Sequence, residues 1–551
     1  MSTQLLSEVA AVFKQAEQMR ESGNIEEALK GYSTVVFHAP KHWPAYFHLG
    51  VLFGEKGHQE LAIALLRRAE AIKPDHHVIK NHMADNMMKL GLLEEPIPLL
   101  EASWRIQPTG ENIGALMKLG KIAWEKNDLD QAIAYFDQLL AIEEPEDADE
   151  GVRDTRHVSK WFRALCFMAR DDYQQAWEGY EWRYYLPGVI TPILHGEKWE
   201  GQSLDGCRII LAYEQRFGDI LQFIRYVPRL QKMGAKVILQ LPSELVRQVR
   251  QSFPDVEIVS TEDKLPQYDY WQLATSIPAV LNLAKDDLFE DRVPYLDVAT
   301  ADRQTVPARP GTQLKVGLVW AGKPEPDRSM PYKKLLPLLS RGDVSFFSFQ
   351  LGERRQDIFD NATGWLVQDL GRQISDFYDS SALLLEMDLL ITIDTAIAHQ
   401  AGALGVPVWV MLKHFSDWRW GLDRSDCSWY PSMRLFRQHQ AGAWDEACED
   451  LYAAFDEWVA ESKVKVFNNQ PEVRVGEARR ETMSAAWRPE GKSGYPLAPC
   501  ALTGSGRAYL EQLYGQDVPY QAVGFKMMHD QAISGPNSDA WDFLLENPDI
   551  K

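Results

Sequence analysis

The sequence predicts an α-helical solenoid followed by an α/β region with two facing parallel sheets. Three observations predict this architecture. A period of 34 residues runs through the first part of the chain, strand-like and helix-like segments alternate after it, and polar loops follow the predicted strands. A chain of 551 residues is also too long for a single hydrophobic core, so several structural units are expected.

The period is set by residues that end helices and residues that form turns. They recur every 34 residues, at Pro40, Pro74 and Pro108 and at Gly23, Gly57 and Gly91. A fourth unit has Asn127 in place of the turn glycine, and a fifth, ALCFMARDDYQQAWEGYEWR, is weaker. Small residues stand where paired helices must approach closely, at Ala28, Ala62, Ala132 and Ala176. The pattern resembles the tetratricopeptide repeat (TPR), which implies a solenoid over residues 1–190 whose groove holds a protein or peptide.

After residue 190 the pattern changes to strand, helix, strand. The segments CRIILAY, KVILQLP and VEIVS predict a first parallel sheet within residues 191–310. A second series, from LKVGLVWAG through LLITI to VPVWVML, predicts another sheet within residues 311–460. Parallel sheets bind ligands at the carboxyl ends of their strands, so two facing sheets predict a cleft. Residues 461–551 lack periodicity and predict a linker and a C-terminal segment without an assigned activity.

Charge and cysteine content exclude several classes of function. A net charge of -21 disfavours binding to nucleic acid or to an anionic membrane surface. The five cysteines include no C-x-x-C pair, so no metal site and no disulfide framework is predicted. The N-terminal residues lack the pattern of a signal peptide, and no apolar run reaches the length of about 18 residues that a membrane span needs. A cytoplasmic protein that is not integral to a membrane is expected.

The loop EQRFGD follows the first strand of the first sheet and leads directly into a helix. Asp219 therefore lies at or near a helix N-terminus, with Gly218 easing the turn. One interpretation is an N-cap, because aspartate is among the best capping residues. The other is a general base that takes a proton from an acceptor hydroxyl, and the two are compatible. The neighbouring Gln215 and Arg216 are candidates for contacts with the acceptor or sugar.

The segment DTAIAH stands where a buried strand of the second sheet passes into a helix. Free amides and partial positive charge at a helix N-terminus bind phosphate, so Asp394, Thr395, Ala396 and His399 are predicted to contact a donor diphosphate or ribose. The structural alternative is that Asp394 caps the helix and His399 is a buried histidine bonded to a backbone carbonyl. Both interpretations are open at this point.

Three further loops contain candidate residues. Arg328 and Ser329 belong to a small basic cluster after the strand KVGLVWAG, which favours neutralisation of a diphosphate over ordinary surface charge. Gln350 follows the strand VSFFSFQ and is a candidate reader of a base or sugar edge. Trp418 and Arg419 belong to an aromatic-rich loop that either stacks on a base or sugar or packs the two sheets together.

Several common catalytic motifs do not occur, among them the P-loop, the dinucleotide G-x-G-x-x-G after a strand, H-E-x-x-H and G-x-S-x-G. The loops together resemble glycosyltransferases with two Rossmann-like domains, the GT-B fold, and most of all the heptosyltransferase family. The likeness is carried by the pair Gly218–Asp219, by Arg328 in RSMP, and by Asp394, Thr395, Ala396 and His399. Ala396 stands where that family usually has glycine.

The resemblance implies that Asp219 is the catalytic base of an inverting, metal-independent transfer from a nucleotide diphosphate sugar. Repeats placed before a two-domain transferase are also similar to the layout of O-GlcNAc transferase, which implies a protein acceptor presented by the solenoid. The predicted function is therefore glycosyl transfer to an acceptor hydroxyl. One alternative is a non-catalytic TPR scaffold with a degenerate transferase domain, and another is a glycosyltransferase that acts on a lipid-linked or polysaccharide acceptor.

Overall fold

Five helical hairpins form the first part of the protein in a computed structural model, which describes residues 3–469 except 187–188, 190–191, 193, 215, 290–292 and 323–327. Their helices are α1 (Thr3–Glu21), α2 (Ile25–His38), α3 (Trp43–Glu55), α4 (Gln59–Ile72), α5 (His77–Lys89), α6 (Pro96–Ile106), α7 (Ile113–Glu125), α8 (Leu129–Leu140), α9 (Glu150–Ala169) and α10 (Tyr173–Tyr180). Each hairpin packs on the next, and the TPR solenoid is confirmed.

The turn inside each hairpin contains one residue in the left-handed backbone region. The predicted turn glycines adopt it, with φ of 79° at Gly23, 87° at Gly57 and 78° at Gly91. Asn127 takes the same conformation with φ of 60°, as its place in the fourth unit predicts, and Asp171 does so in the fifth with φ of 61°. Glycine and asparagine tolerate this region best, which explains the residue types. The four predicted close-packing alanines are all fully buried.

The first sheet has five parallel strands in the order β1-β5-β2-β3-β4. They are β1 (Glu197–Lys198), β2 (Arg208–Ala212), β3 (Lys236–Leu241), β4 (Glu257–Ser260) and β5 (Tyr270–Leu273). The associated helices are α11 (Phe217–Phe223), α12 (Val227–Lys232), α13 (Ser243–Ser252), α14 (Ile277–Val280) and α15 (Lys285–Leu288). From β2 the chain moves outward to β3 and β4, whereas β5 lies on the other side, so the ligand crevice expected of such sheets opens beside β2.

The second sheet has six parallel strands in the order β11-β10-β9-β6-β7-β8. They are β6 (Leu314–Leu318), β7 (Val344–Ser348), β8 (Val367–Asp369), β9 (Leu389–Ile393), β10 (Val408–Leu412) and β11 (Met433–Arg437). The helices are α16 (Leu336–Leu339), α17 (Asp357–Asp360), α18 (Phe377–Leu384), α19 (Ala396–Leu404) and α20 (Trp444–Asn469). Strand order changes direction between β6 and β9, which places the expected crevice at the start of α19.

Short 3₁₀ segments complete the described secondary structure. They span Gly110–Asn112, Glu181–Tyr185, Ile224–Tyr226, Ala274–Ser276, Thr300–Asp302, Tyr332–Leu335, Glu353–Gln356, Gly371–Gln373 and Trp418–Trp420. The predicted fold class, a TPR solenoid followed by an α/β region with two parallel sheets, is confirmed. The segment predicted for residues 461–551 begins inside α20, and from residue 470 on it lies outside the described residues.

The solenoid and the sheets share one hydrophobic core. A single cluster of buried side chains runs from α7–α10 through the first sheet to one face of the second, and includes Trp177, Tyr180, Leu211, Val410 and Trp418. The other face of the second sheet packs on α20. The rest of the solenoid has separate clusters, one of which joins α5 and α6 to α7 and α8. The last two hairpins are therefore built into the α/β region, and all of these elements belong to one unit, Met1–Phe467.

Candidate functional site

Asp219 lies in the first turn of α11, two residues after the helix begins. The N-cap position is occupied by the exposed Arg216, so the interpretation of Asp219 as the N-cap is wrong. Its carboxylate Oδ1 instead accepts a hydrogen bond of 2.7 Å from Nη2 of Arg419, which belongs to the loop after β10. The Asp219 side chain keeps 24% of its surface exposed, so it is anchored on one side and open on the other.

The residues of DTAIAH form the start of α19, as predicted. Thr395 is the N-cap residue, so the interpretation of Asp394 as the cap is wrong. The Thr395 hydroxyl does not cap the helix either, because it bonds to the carbonyl of Ile393 and the hydroxyl of Thr392, each at 3.3 Å. Ala396 is the first helical residue. The first turn of α19 thus has no side-chain cap, and the Ala398 amide donates to the carbonyl of Thr395 at 3.0 Å, which leaves the amides of Ala396 and Ile397 available to an anion.

Arg328, in the loop that follows the neighbouring strand β6, contacts the residues just before α19. Its guanidinium donates to the backbone carbonyl of Asp394 through Nε at 2.8 Å and Nη2 at 2.6 Å. Ser329 has a different role, because its hydroxyl accepts a hydrogen bond from the amide of Gly322 at 3.3 Å and closes the loop after β6. The predicted basic residue and the predicted helix start therefore meet at the crevice between β6 and β9.

His399 is buried one turn inside α19, with 6% of its surface exposed. Its Nδ1 is 3.1 Å from the hydroxyl of Tyr430, so its partner is a side chain and not the backbone carbonyl of the structural alternative. Burial, with a further contribution from the positive charge of Arg419, lowers the pKa of His399 to about 3. The imidazole is therefore neutral at physiological pH, with one nitrogen protonated.

The two halves of the α/β region touch at this histidine. A Cβ placed on Gly218 would lie 2.8 Å from Cδ2 and 3.3 Å from Nε2 of the His399 ring. Any larger residue at position 218 would push α11 away from α19, which gives a packing reason for the glycine. The predicted base and the predicted anion-binding helix thus lie on the two sides of the junction where α11 meets α19, and this junction is called the gap below.

At the gap, charged side chains of the two halves are linked by ion pairs. Arg419 binds Asp219 on one side and the Oδ1 atom of Asp417 at 2.8 Å on the other. Burial raises the pKa of Asp394 above its ordinary value, and the nearby Asp417 carboxylate adds to the rise. Burial acts in the same direction on Asp417, but the Arg419 guanidinium outweighs it and holds that pKa below the ordinary value.

Gln350 does not face the gap. Its side chain is buried, its Oε1 accepts from the amides of Trp320 and Ala321 at 3.1 and 2.9 Å, and its Nε2 donates to the carbonyls of Ala321 and Leu351. The amide group is fully used in holding the loop after β6. The prediction that Gln350 reads a base or sugar edge is corrected to this structural role.

The other residues predicted to contact the acceptor or sugar have different outcomes. Trp418 is buried among the rings of Tyr173, Tyr180 and Trp429, with centroids 5.9 to 6.2 Å apart, so the prediction that it contacts a sugar is corrected to a packing role. Arg419 is at the gap, but it is buried and bonded to aspartates. Gln215 lies outside the described residues.

Two residues that pack beside the site, Arg225 and Asp417, were not predicted from the sequence. Arg225 is 2% exposed, donates to the carbonyl of Trp429 at 2.9 Å, and lies 5.2 Å from the Tyr430 ring and 5.0 Å from the Tyr295 ring. An arginine within the apolar helix pattern FIRYV was the available signal. Asp417 could have been found as the acidic neighbour of the candidate Arg419.

Two cavities lie elsewhere. One of about 590 Å³ is at the ends of β10 and β11, where Arg437, Gln438 and the solenoid residue Asn127 line it together with side chains of α20. Another of about 570 Å³ lies between α6, α7 and α8 and includes Trp104 and Tyr135. Of the residues predicted for the site that the structure describes, none lines either cavity.

Two other features are absent from the described part of the chain. Within residues 3–469, outside the gaps named above, no cluster of three or more histidine, cysteine, aspartate or glutamate side chains could hold a metal ion. In the same part of the chain no helix combines the length and apolar character needed to cross a bilayer.

The fold and its repeats define a TPR-containing protein with an α/β region. Residues 44–76 and 113–145 match the tetratricopeptide repeat. The chain is similar to protein FlbA of Caulobacter vibrioides, with 25% identity over 506 residues that cover 80% of this chain and 83% of FlbA. Solved structures with similarity include MamA from Desulfovibrio magneticus RS-1, at 15% identity and a TM-score of 0.27 over 31% of this chain and 91% of MamA. BtubC from P. vanneervenii is 16% identical with a TM-score of 0.29, over 35% of this chain and 87% of BtubC.

Proposed function

We propose that the protein is a glycosyltransferase that moves a sugar from a nucleotide diphosphate sugar to an acceptor hydroxyl, on a protein presented by the TPR solenoid. One observation carries this proposal. The contact between Gly218 and His399 brings a carboxylate of the first half beside the uncapped helix start of the second. Such a gap suits a reaction in which a proton is removed on one side and a diphosphate departs on the other.

Asp219 is proposed as the general base. Arg419 holds its Oδ1, and among the described residues no hydrogen bond to Oδ2 is found, so the second oxygen can receive the proton of an acceptor hydroxyl. A positioned carboxylate contributes about 10²–10⁴-fold to such proton transfers. The inverting outcome stays a prediction from the family resemblance.

The departing diphosphate is assigned to α19 and Arg328. The amides of Ala396 and Ile397 and the guanidinium supply positive charge that is already in place before the bond breaks, which is the form of electrostatic stabilisation that lowers a barrier most. His399 is neutral, and with Nδ1 accepting from the Tyr430 hydroxyl its Nε2–H would face Gly218 as a further donor. This assignment needs no metal ion.

Two alternative functions are a degenerate scaffold and a transferase with a different acceptor. A degenerate scaffold is favoured by Ala396 at the position where the resembling family has glycine, and by Gln350, whose amide is fully bonded to backbone. A lipid-linked or polysaccharide acceptor would leave the chemistry unchanged and give the solenoid a docking role alone.

The experiment is donor hydrolysis by the purified full-length protein. It is incubated with UDP-, GDP- and ADP-linked sugars, and the released nucleoside diphosphate is measured. We expect slow release by the wild type and a loss of at least about 100-fold in Asp219→Asn, with donor affinity retained because the base does not bind the diphosphate. Glu244→Gln is the matched control, since Glu244 is an exposed carboxylate in the first turn of the next helix, α13.

Three outcomes separate the candidates. Full activity in Asp219→Asn would show that the base is assigned wrongly. No release from any donor, even with bacterial protein extract as acceptor, would favour the scaffold. Sugar found by mass spectrometry on lipid or polysaccharide but not on protein would replace the acceptor and keep the reaction.

A further inference from the structure

The loop that contains Arg419 is seated on the end of the solenoid. Trp418 packs its ring 6.2 Å from that of Tyr173 and 6.0 Å from that of Tyr180, both in α10. Earlier in the same loop, Phe415 contacts Trp124 of α7 with ring centroids 3.8 Å apart. Helices α7 and α10 therefore form the surface on which the loop lies.

A second connection joins the solenoid to the other side of the gap. Arg183, directly after α10, bonds to Glu214 through Nε at 3.0 Å and to Thr275 and Ser276 through Nη2. Glu214 follows β2, in the loop that leads to α11. The Arg183 guanidinium also lies 4.5 Å from the Tyr180 ring, so the two connections meet at one tyrosine.

Between these two fixed loops, Arg419 has a closely defined position. Its guanidinium donates to Asp219, Asp417 and Gln222, and the guanidinium carbon Cζ lies 4.4 Å from the centre of the Trp418 ring. The arginine is 9% exposed, so water cannot replace these partners. Asp219 is consequently held by a group whose own location depends on the solenoid.

We propose that Arg419 is the positioning residue for Asp219, and that the last solenoid hairpin, α9–α10, with the turn that follows it, holds both in place. Arg419 acts through Asp219 and does not itself contact the reacting atoms. The solenoid is then a part of the site as well as a surface for a partner, and a change in its last hairpin alters turnover. The kinetic part of this inference rests on the proposed function.

The first test compares Arg419→Met, Arg419→Lys and Arg354→Met in the full chain. Arg354 is a matched control, because it is an exposed arginine in another loop of the second half and its ion pair is with Asp357. We expect Arg419→Met to lower kcat for donor hydrolysis about 100-fold, since a displacement near 1 Å costs that much, with the donor KM changed less than about threefold. Lysine should recover part of the loss. A kcat for Arg419→Met within about twofold of the wild type would overturn the proposal.

The second test does not depend on turnover. Hydrogen exchange of residues 213–223 is measured by mass spectrometry in the same variants and in Tyr180→Leu, which changes only the solenoid side and keeps the test valid if Arg419→Met fails to fold. We expect faster exchange in Arg419→Met and Tyr180→Leu and wild-type exchange in Arg354→Met. Unchanged exchange in both variants would overturn the proposal even if the enzyme is active. Faster exchange without any donor turnover in the wild type would uphold the positioning and refute the proposed function.

Discussion

At the scale of single residues, the contact between Gly218 and His399 decides how the two halves of the site meet. A methyl group at position 218 would lie 2.8 Å from the imidazole ring, closer than real side-chain contacts allow. The ring cannot turn away easily, because Nδ1 is held by Tyr430 and the Trp420 ring lies 5.1 Å away. The glycine therefore sets the separation of α11 and α19.

Gly218→Ala is expected to destabilise the protein by about 1–3 kcal/mol, the usual cost of overpacking a rigid contact. The measurement is the melting temperature of the full chain, together with the donor hydrolysis rate, which should also fall because Asp219 moves with α11. Gly342→Ala is the control, since no atom lies within 4 Å of its added Cβ. Equal melting temperatures for the two variants would contradict the close contact.

The residues that follow strands could be predicted from the sequence, but their hydrogen-bond partners could not. Asp219, Thr395 and His399 were found because each stands where an apolar run gives way to a helix. Arg419 bonds to Asp219 from 200 positions away, and such a pair leaves no local pattern. Gln350 was assigned wrongly for the same reason, because three of its four side-chain bonds to the backbone reach Trp320 and Ala321 and exist only once β6 and β7 are paired.

At the scale of secondary-structure elements, the solenoid hairpins contain histidines that are folded in the neutral form. Burial lowers the pKa values of four of them in α3, α5 and the residues before these helices, namely His42, His48, His76 and His82. Neighbouring carboxylates oppose the effect at two sites, Glu17 beside His48 and Asp85 near His82. Burial prevails in each case.

Acidification should therefore weaken the solenoid. An unfolded histidine takes up a proton below a pH of about 6.5, whereas the folded ones resist it, so stability is lost as the pH falls from about 6.5 toward the lowered pKa values. We expect a lower melting temperature at pH 5.5 than at pH 7.5, by about 2–4 °C for each kcal/mol lost, with hydrogen exchange rising in α3 and α5 first. His48→Gln should weaken this dependence and the exposed His58→Gln should not. A melting temperature that stays constant or rises on acidification would refute the assignment.

Most elements could be predicted because their periodicity is strong and local. Three strands were not predicted from the sequence. They are β1, with two residues, β5, with four, and β11, which follows the aromatic-rich loop of Trp418 and Arg419. The apolar segment KKLLPLLSR contains a 3₁₀ segment and the short α16 in place of one continuous helix, because Pro337 lacks the amide hydrogen that a continuous helix needs. β1 and β11 are edge strands and β5 is short, and the formation of such strands depends more on their neighbours than on their own sequence.

At the scale of the whole molecule, the solenoid and the α/β region are not separable modules. Hairpins α7–α8 and α9–α10 share their hydrophobic core with both sheets. Removing residues 1–190 would therefore expose Phe415 and Trp418 and take Arg183 away from Glu214, so a loss of activity would not identify a protein acceptor. A truncation that ends before α7 keeps the core shared with the sheets and removes only the packing of α5 and α6 on α7 and α8, so it can address the acceptor. Sequence periodicity predicted the solenoid but could not show that its end belongs to the site, because that depends on contacts between distant segments.

The most direct test of the central claim is a crystal structure of the protein with a bound nucleoside diphosphate, obtained with UDP, GDP or ADP at millimolar concentration. The account predicts that the phosphates lie at the first turn of α19, within hydrogen-bond distance of the amides after Thr395 and of Arg328, with Asp219 facing them across the gap. Phosphates bound elsewhere, for instance beside Arg437, or no bound nucleotide at all, would contradict it.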